Sequence, residues 1–305
     1  MGINGWFKVY GDSALIRKEN YFHGKCLGID VSYDIYRASL GMKNIKGLTD
    51  KNGIPTILLN TLLCNIVRYK KLGVRGLIYV FDNPKPNPRK VKEIKKRKDV
   101  RQKAEEKMSE ETQQEKKQKL EKRTFTITDG MIEDVKKLLS FLGAAWIIAP
   151  VGYEAEHLGA ELTINNIIDS FITSDSDTLL FGGKSIIRRV KNKGSKKISY
   201  EEYNLDKIIT DYGLTREQLV HQGVVLGSDF AEKTKGIGPG TVLRKGLETK
   251  LTDEQLKAKE YFLTRCPYND NMIRKDTIDK KELVKWLVED KNFNEKRIEK
   301  LLSIF

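Results

Sequence analysis

Residues 171–183 have the sequence FITSDSDTLLFGG, in which two carboxylates follow a short apolar run. The run is typical of a buried β-strand, and Asp175 and Asp177 come directly after its end. Neighbouring carboxylates repel each other unless they share a proton or face a cation. A single Asp after a strand is more often a helix cap or a turn residue, so the other strands decide what this pair means.

The same alternation of apolar runs and helical patterns extends over the first two thirds of the chain. The apolar runs lie at residues 24–30, 76–82, 144–150 and 169–175, and the helical patterns at about 54–71, 129–142 and 154–166. Strands that alternate with helices predict an α/β fold, with a Rossmann-like, mostly parallel sheet that carries helices on both faces.

Each apolar run is followed by acidic residues. These are Asp30, Asp82, the pair Glu154 and Glu156, and the pair Asp175 and Asp177. The carboxyl ends of parallel strands meet at one edge of a sheet, so we expect the six side chains to converge there. Oxygen ligands favour Mg²⁺ or Mn²⁺ over zinc, and two such ions can clamp the oxygens of a phosphodiester. A seventh acid, Asp229, precedes a GIGPG turn at residues 236–240.

The amino-acid composition limits the kinds of binding partner and the cellular compartment that we expect for this protein. The 305 residues carry a net charge of +14, with a pI of about 9.4, which predicts a polyanionic partner such as nucleic acid or an acidic membrane surface. Three cysteines without CxxC spacing indicate neither zinc nor disulfides, and therefore an intracellular protein. There is no signal-peptide pattern, and no apolar run reaches the ~20 residues that span a bilayer, so we expect neither secretion nor a membrane anchor.

More than half of the net charge lies in residues 84–123, which contain 16 Lys and Arg against 8 Asp and Glu. Prolines 84, 86 and 88 delay a helix until about Arg89, and Thr112-x-x-Glu115 resembles a capping box that starts a second helix near Gln113. The pattern therefore predicts two exposed basic helices with a break at about 108–112. A disordered, solubilising charge run is the alternative.

From about residue 201 the chain turns to short helices and loops, which predicts a second domain with a boundary near 195. We expect residues 1–195 to form the core and 196–305 a helical lobe, from which Asp229 returns to the site. In the GIGPG turn, Gly236 and Gly238 allow backbone N–H groups to approach a phosphate, or carbonyl groups to hold a monovalent cation.

Five segments resemble, in their order and intervals, the motifs of the flap endonucleases of the structure-specific 5′-nuclease superfamily: IDVSYDIY, YVFDNPKP, YEAEHLGAEL, TSDSDTLLFG and LGSDFAEKTKGIGP. The resemblance extends from MGINGW to about Lys300. It implies a PIN-like nuclease core, a basic helical arch at about 84–128, and a helix-two-turn-helix at about 216–245 that grips duplex DNA with a bound K⁺.

The resemblance also implies roles for individual residues. Two Mg²⁺ ions, which Mn²⁺ can replace, would be held by the seven carboxylates Asp30, Asp82, Glu154, Glu156, Asp175, Asp177 and Asp229. A Lys and an Arg seven residues apart would face the scissile phosphate. Two registers fit, Lys90 with Arg97 or Arg89 with Lys96, and the first is preferred because Glu93 and Ile94 then align. Solvated surface charge is the alternative for any one of these basic residues.

Other positions carry DNA contacts or depart from the family pattern. Tyr36 matches a tyrosine on which a base stacks, although it could also be a core residue. The basic pair that commonly follows GIGP is absent, and Arg244 and Lys245 could replace it. VGYEAEH is two residues longer than the usual eukaryotic spacing, and its His157 is either a helix residue or a support for a metal ligand.

The sequence thus predicts a Mg²⁺-dependent structure-specific 5′ flap endonuclease, with 5′→3′ exonuclease activity, that acts as a monomer on branched double-stranded DNA in replication and repair. We expect it in the nucleus or another site of DNA replication.

The terminal LLSIF lacks a sliding-clamp docking motif, so clamp binding is not expected, and such a short form would fit a large DNA virus. A non-catalytic junction-binding protein is the main alternative, and seven retained acids argue against it. The arch and the GIGP turn argue against a related ribonuclease.

Overall fold

The computed structural model describes residues 2–41, 48–110, 120, 124, 126–191 and 198–305, without the side chains of 38–41, 109, 110 and 191. The predicted second arch helix from about residue 113 and the predicted boundary near 195 lie outside the described residues. The strands are β1 (Leu15–Arg17), β2 (Cys26–Asp30), β3 (Gly76–Phe81), β4 (Ala145–Ile148), β5 (Ser170–Ile172), β6 (Ser185–Lys191) and β7 (Ile198–Asn204).

Short and long α-helices separate these strands and follow them. They are α1 (Trp6–Val9), α2 (Val31–Gly41), α3 (Ile57–Lys71), α4 (Val91–Glu110), α5 (Asp129–Phe141), α6 (Ala155–Ile164), α7 (Asp177–Leu180), α8 (Leu205–Tyr212), α9 (Arg216–Leu226), α10 (Val242–Lys245), α11 (Asp253–Leu263), α12 (Lys280–Lys285) and α13 (Glu295–Leu302). Single 3₁₀ turns lie at Gly11–Ser13, Glu19–Phe22, Pro88–Lys90 and Asp270–Met272, and a π-helical turn at Trp286–Asp290. Within the described ranges, no helix is both long and apolar enough to cross a bilayer.

The described strands form one sheet in the order β1-β7-β6-β5-β2-β3-β4. Its centre is parallel, since β2 pairs with β3 and β5, and β5 pairs with β6, whereas β7 runs antiparallel to both β6 and β1. The registers place Asp30 beside Val80 and Ile29 beside Ile172. The carboxyl ends of β2, β3 and β5 therefore lie at the same edge, as the sequence predicts.

The four predicted strands and three predicted helices are confirmed to within a few residues, but β1, β6 and β7 were missed. β6 carries Arg188 and Arg189 among its apolar residues, and the Arg188 guanidinium lies 3.1 Å from the Glu201 carboxylate on β7. Ion pairs between the two strands thus stabilise β6, although its sequence lacks a continuous apolar run. Because β7 continues to Asn204, the helical part begins at Leu205 rather than at about 201.

The chain divides into two compact units. The first comprises Met1–Asp30, Arg75–Lys90 and Ile147–Met272, and the second Val31–Val74, Val91–Trp146 and Ile273–Phe305. The first unit has an apolar core that includes Trp6, Tyr10, Leu180, Phe181, Val224 and Phe262. In the second, α5 packs against α3 and α12, and the rings of Phe141 and Trp286 lie 5.8 Å apart.

Gly159 allows α6 to lie directly on the strand that leads to Asp175 and Asp177. A Cβ atom at this position would lie 2.6 Å from the Phe171 ring of β5, closer than two carbon atoms can approach. The absence of a side chain at Gly159 therefore sets the distance between the helix and the strand.

Gly159→Ala should lower the free energy of unfolding by about 1–3 kcal/mol, because overpacking outweighs the gain in helix propensity. Gly130→Ala, on α5, is the matched control, since its nearest neighbour is the Thr128 hydroxyl at 3.9 Å. The control should be neutral or stabilising. Chemical denaturation of both variants checks this, and an equal effect at the two sites would contradict it.

Candidate active site

The strand ends and the following loops bring the predicted acids to one edge of the sheet. Asp30 is the last residue of β2, Asp82 follows β3, and Asp175 and Asp177 follow β5. Glu154 is the residue before α6, and Glu156 lies in the first turn of that helix. Asp30, Asp175 and Asp177 are buried, whereas Asp82 is exposed.

Hydrogen bonds fix several of these carboxylates. The Thr173 hydroxyl donates to Asp30 Oδ2 at 3.0 Å and accepts from the backbone N–H of Asp175 at 3.1 Å. Asp175 Oδ1 accepts from the N–H of Asp177 at 2.9 Å, and Asp82 Oδ1 accepts from the N–H of Ala155 at 2.9 Å. The acids are thus held by the backbone that follows the strands.

Lys90 lies among these acids. Its Nζ is 2.7 Å from Glu154 Oε2 and 3.0 Å from Asp229 Oδ2, and it stands 4.8 Å from the centroid of the Phe230 ring. Lys90 ends the 3₁₀ turn Pro88–Lys90, and its side chain is only 11% exposed. Of the predicted basic residues in the first unit, Lys90 is therefore the one that contacts the carboxylates.

The charge on Lys90 is stabilised by its surroundings. Burial alone would lower its pKa, but Glu154, Asp229, Glu156 and Asp177 together raise the pKa well above its usual value. Lys90 therefore remains protonated at any physiological pH, as a fixed positive charge rather than a proton acceptor.

The carboxylates, in contrast, are poorly stabilised as anions. Burial raises the pKa of Glu154 from 4.5 to about 7, against the opposing effect of Lys90, with smaller contributions from Asp82 and Asp229. Burial, followed by Asp175 and Asp30, raises the pKa of Glu156 well above its usual value. Burial and then Asp175 do the same for Asp177. These interactions join all seven acids and Lys90 into one electrostatic cluster, named here the carboxylate cluster.

The composition of the carboxylate cluster fits divalent cations. The cluster combines seven oxygen-donor acids with one ammonium group, and Asp177 Oδ1 is buried without a hydrogen-bond partner in the described part of the chain. As the side chains lie, no group of three or more Asp, Glu, His or Cys residues among those described is arranged to hold a metal ion. The Lys90 ammonium already lies between Glu154 and Asp229, so two of the seven acids are engaged with the positive charge of the chain itself.

Three other predicted residues belong to the second unit. On α4, Arg97 Nε donates to Glu93 Oε1 at 3.1 Å, and the side chain of Lys96 is 77% exposed. The basic run is helical as far as Glu110, as expected for the first of the two predicted arch helices. Tyr36 is 51% exposed, which excludes its interpretation as a core residue.

Arg89 and His157 lie outside the carboxylate cluster and pack on aromatic rings. The Arg89 guanidinium stands 4.4 Å over the Tyr261 ring, and its Nη1 donates to Gly152 O at 3.5 Å. His157 stacks on Phe181 at 3.9 Å, its Nε2 lies 2.9 Å from Thr264 O, and burial lowers its pKa to about 4. His157 is therefore a neutral packing residue of the helix.

The GIGPG turn connects α9 to α10. Gly236 has a φ of 83°, which favours glycine, and the N–H of Gly238 donates to Thr241 Oγ1 at 3.0 Å. Arg244 and Lys245, on α10, are exposed. The turn thus presents two basic side chains to solvent directly after its glycines.

Thr173, Asn87, Phe230 and Tyr261 were not singled out from the sequence, although each contacts a member of the carboxylate cluster or a residue next to one. Thr173 could have been found, because it lies between the strand and Asp175. Asn87 and Phe230 lie within three residues of Lys90 and Asp229 along the chain, whereas Tyr261 approaches the cluster only through the tertiary fold.

The fold is that of the PIN-like nucleases. The structure resembles the catalytic core of Rad2 in complex with DNA substrate with a TM-score of 0.76, at 21% identity and over 100% of both chains. Two family models match the sequence, the XPG N-terminal domain at residues 1–104 and the XPG I-region at residues 143–229.

Two curated relatives define the family more closely. Flap endonuclease 1 of Trypanosoma cruzi is 33% identical, over 98% of this chain and 83% of the relative. Flap endonuclease 1 of Entamoeba histolytica is 31% identical, over 98% and 86% respectively. This chain belongs to the flap endonuclease family, which is dependent on divalent metals.

The raised pKa values predict an unusual pH dependence of stability in the presence of a chelator. Glu154 keeps its proton up to about pH 7 in the folded protein, whereas the unfolded chain releases this proton near pH 4.5. Because the folded state binds the extra proton, the free energy of unfolding should fall as the pH rises from 6 to 8. Thermal unfolding should show a higher Tm at pH 6 than at pH 8, and Glu154→Gln should flatten the difference. A wild-type Tm that is lower at pH 6 would contradict this account.

Proposed function

We propose that this protein is a Mg²⁺-dependent, structure-specific 5′ flap endonuclease with 5′→3′ exonuclease activity. The observation that carries the proposal is the carboxylate cluster, in which seven acids and a buried, ion-paired lysine meet at the carboxyl edge of the sheet. A protein that only binds DNA gains nothing from acids that repel the phosphates at its centre. Family membership supports the same activity.

Asp30, Asp82, Glu154, Glu156, Asp175, Asp177 and Asp229 would hold two Mg²⁺ ions, or Mn²⁺ in their place. When bound, these ions would supply an activated water and stabilise the departing 3′ oxygen. Asp177 offers a buried oxygen without a hydrogen-bond partner among the described residues, which favours it as a ligand. Thr173 orients both Asp30 and Asp175, and so prepares two ligands from one side chain.

Lys90 and Arg97 are the proposed catalytic pair. Lys90 is already desolvated and charged, so it would bind and polarise the scissile phosphate without a change in protonation. The position of Lys90 supports the register Lys90 with Arg97, because Arg89 is engaged with Tyr261 instead. Displacing the ammonium group from Glu154 and Asp229 toward the phosphate would also free those two acids.

DNA would be recognised by its shape and backbone rather than by sequence. Tyr36 is exposed enough to stack on a base. The GIGPG turn would bind K⁺ and contact the duplex through Gly236, Gly238, Arg244 and Lys245. Arg89 and Lys96 would contribute positive charge to the arch. We propose that the protein acts as a monomer on branched DNA with a 5′ single-stranded flap, where DNA is replicated and repaired.

The function is tested by incubating a 5′-labelled double-flap DNA, a blunt duplex and a single strand with the protein, in Mg²⁺ and in excess chelator. The proposal predicts release of the flap near the junction, in Mg²⁺ only. Asp177→Asn should bind the flap DNA with unchanged Kd and lose at least about 10²-fold in cleavage rate, because it removes one ligand charge. Tight binding without cleavage by the wild-type protein would instead favour the junction-binding alternative.

The two registers of the basic pair make different predictions. Lys90→Ala should lower kcat by about 10²-fold or more, because the phosphate loses a preorganised positive charge. Lys96→Ala is the matched control, since it removes the same group from an exposed position of the next helix. Single-turnover cleavage of the flap DNA checks both variants. A larger loss in Lys96→Ala would assign catalysis to Arg89 and Lys96.

A further inference from the structure

Tyr261, on α11, makes two hydrogen bonds that join distant parts of the first unit. Its hydroxyl accepts from Asn87 Nδ2 at 3.1 Å and donates to Gly152 O at 3.1 Å. Asn87 is buried, and its Oδ1 accepts from the backbone N–H of Arg89 at 3.0 Å. The backbone carbonyl of Asn87 accepts from the N–H of Lys90 at 3.0 Å, so the residue anchored by Tyr261 closes the turn that ends in Lys90.

Two of the contacts of the Tyr261 ring are with residues next to the ion-paired group. The Arg89 guanidinium lies 4.4 Å over one face, and the Phe230 ring meets it in an edge-on arrangement at 4.9 Å. Phe230 is in turn the ring over which the Lys90 ammonium stands. Tyr261 is almost fully buried, with an exposed fraction of 4%.

These contacts reach three separate chain segments, and each segment carries one member of the ion-paired group formed by Lys90, Glu154 and Asp229. Asn87 and Arg89 lie three residues and one residue before Lys90, Gly152 lies two residues before Glu154, and Phe230 follows Asp229. One side chain thus touches all three segments that must be aligned for the Lys90 ammonium to lie 2.7 Å and 3.0 Å from its two carboxylates.

We propose that Tyr261 is a positioning residue for the cleavage reaction, which holds Lys90, Glu154 and Asp229 in their relative places through Asn87, Gly152 and Phe230. The inference rests on the proposed function. Tyr261 does not touch the reacting atoms itself. It acts because a displacement of about 1 Å at a catalytic group is enough to cost about 10²-fold in rate.

Tyr261→Phe tests the proposal with the least disturbance, since it keeps the ring contacts to Arg89 and Phe230 and removes only the two hydrogen bonds. We expect kcat for flap cleavage to fall by about 10-fold to 100-fold, with KM and the Kd for flap DNA within about twofold of wild type. Tyr212→Phe is the matched control, because it also removes a tyrosine hydroxyl that donates to a backbone carbonyl, here Val9 O at 2.8 Å. The control should cleave at the wild-type rate.

A second measurement needs neither metal nor DNA. Amide hydrogen exchange of the peptide that covers residues 84–90 should be faster in Tyr261→Phe than in wild type or Tyr212→Phe, because Asn87 has lost its anchor. Asn87→Ala removes the same hydrogen bond from the other side, together with the bond that Asn87 Oδ1 accepts from the Arg89 N–H. The losses in kcat should be less than additive in the double variant, because the two residues share one of their contacts.

The outcomes separate this proposal from the proposed function. Wild-type kcat in Tyr261→Phe, with unchanged exchange at 84–90, would overturn the positioning role. A raised KM at unchanged kcat would also overturn it, because Tyr261 would then be a DNA contact. Faster exchange over the whole chain, with a Tm far below that of the control, would overturn it as well, because Tyr261 would then contribute to general stability. If the wild-type protein does not cleave flap DNA, the proposed function fails, whereas the exchange measurement still decides whether Tyr261 anchors the Lys90 turn.

Discussion

The ion-paired contact of Lys90 with Glu154 and Asp229 holds together a site that would otherwise repel itself. Burying several carboxylates at one edge of a sheet costs free energy, both through lost hydration and through mutual repulsion. The buried ammonium group offsets part of this cost, and the hydrogen bonds that backbone N–H groups donate to Asp82 and Asp175 offset a further part. The raised pKa values of Glu154, Glu156 and Asp177 show that the compensation is incomplete. The clustered carboxylates thus lower the stability of the folded protein, and they provide a concentration of negative charge that suits divalent cations.

Much of this arrangement follows from local sequence pattern. The apolar runs, the helical patterns between them and the acids at the strand ends are enough to predict a parallel sheet with Asp30, Asp82, Asp175 and Asp177 at one edge, because parallel strands share a carboxyl end. β6 and β7 could not be predicted in this way, because they contain charged residues that form ion pairs across the two strands, such as Arg188 with Glu201. The roles of the acids as metal ligands remain predictions.

The partners of individual side chains could not be predicted from the sequence. Lys90 is one of many basic residues in its segment, and only the turn after three prolines directs it into the carboxylate cluster. Tyr261 is separated by 174 residues from Asn87 and by 109 from Gly152, so no local periodicity reports the contact. Contacts of this kind depend on the tertiary structure, and they determine how accurately a site predicted from sequence is assembled.

The central claim is that the carboxylate cluster binds divalent cations in competition with the Lys90 ammonium group. A crystal structure of the protein grown with Mn²⁺, with anomalous scattering measured at the manganese absorption edge, tests it most directly. The account predicts anomalous peaks among the seven carboxylates, with Asp177 Oδ1 as a ligand. Manganese bound only elsewhere, with Lys90 still paired to Glu154 and Asp229, would contradict it.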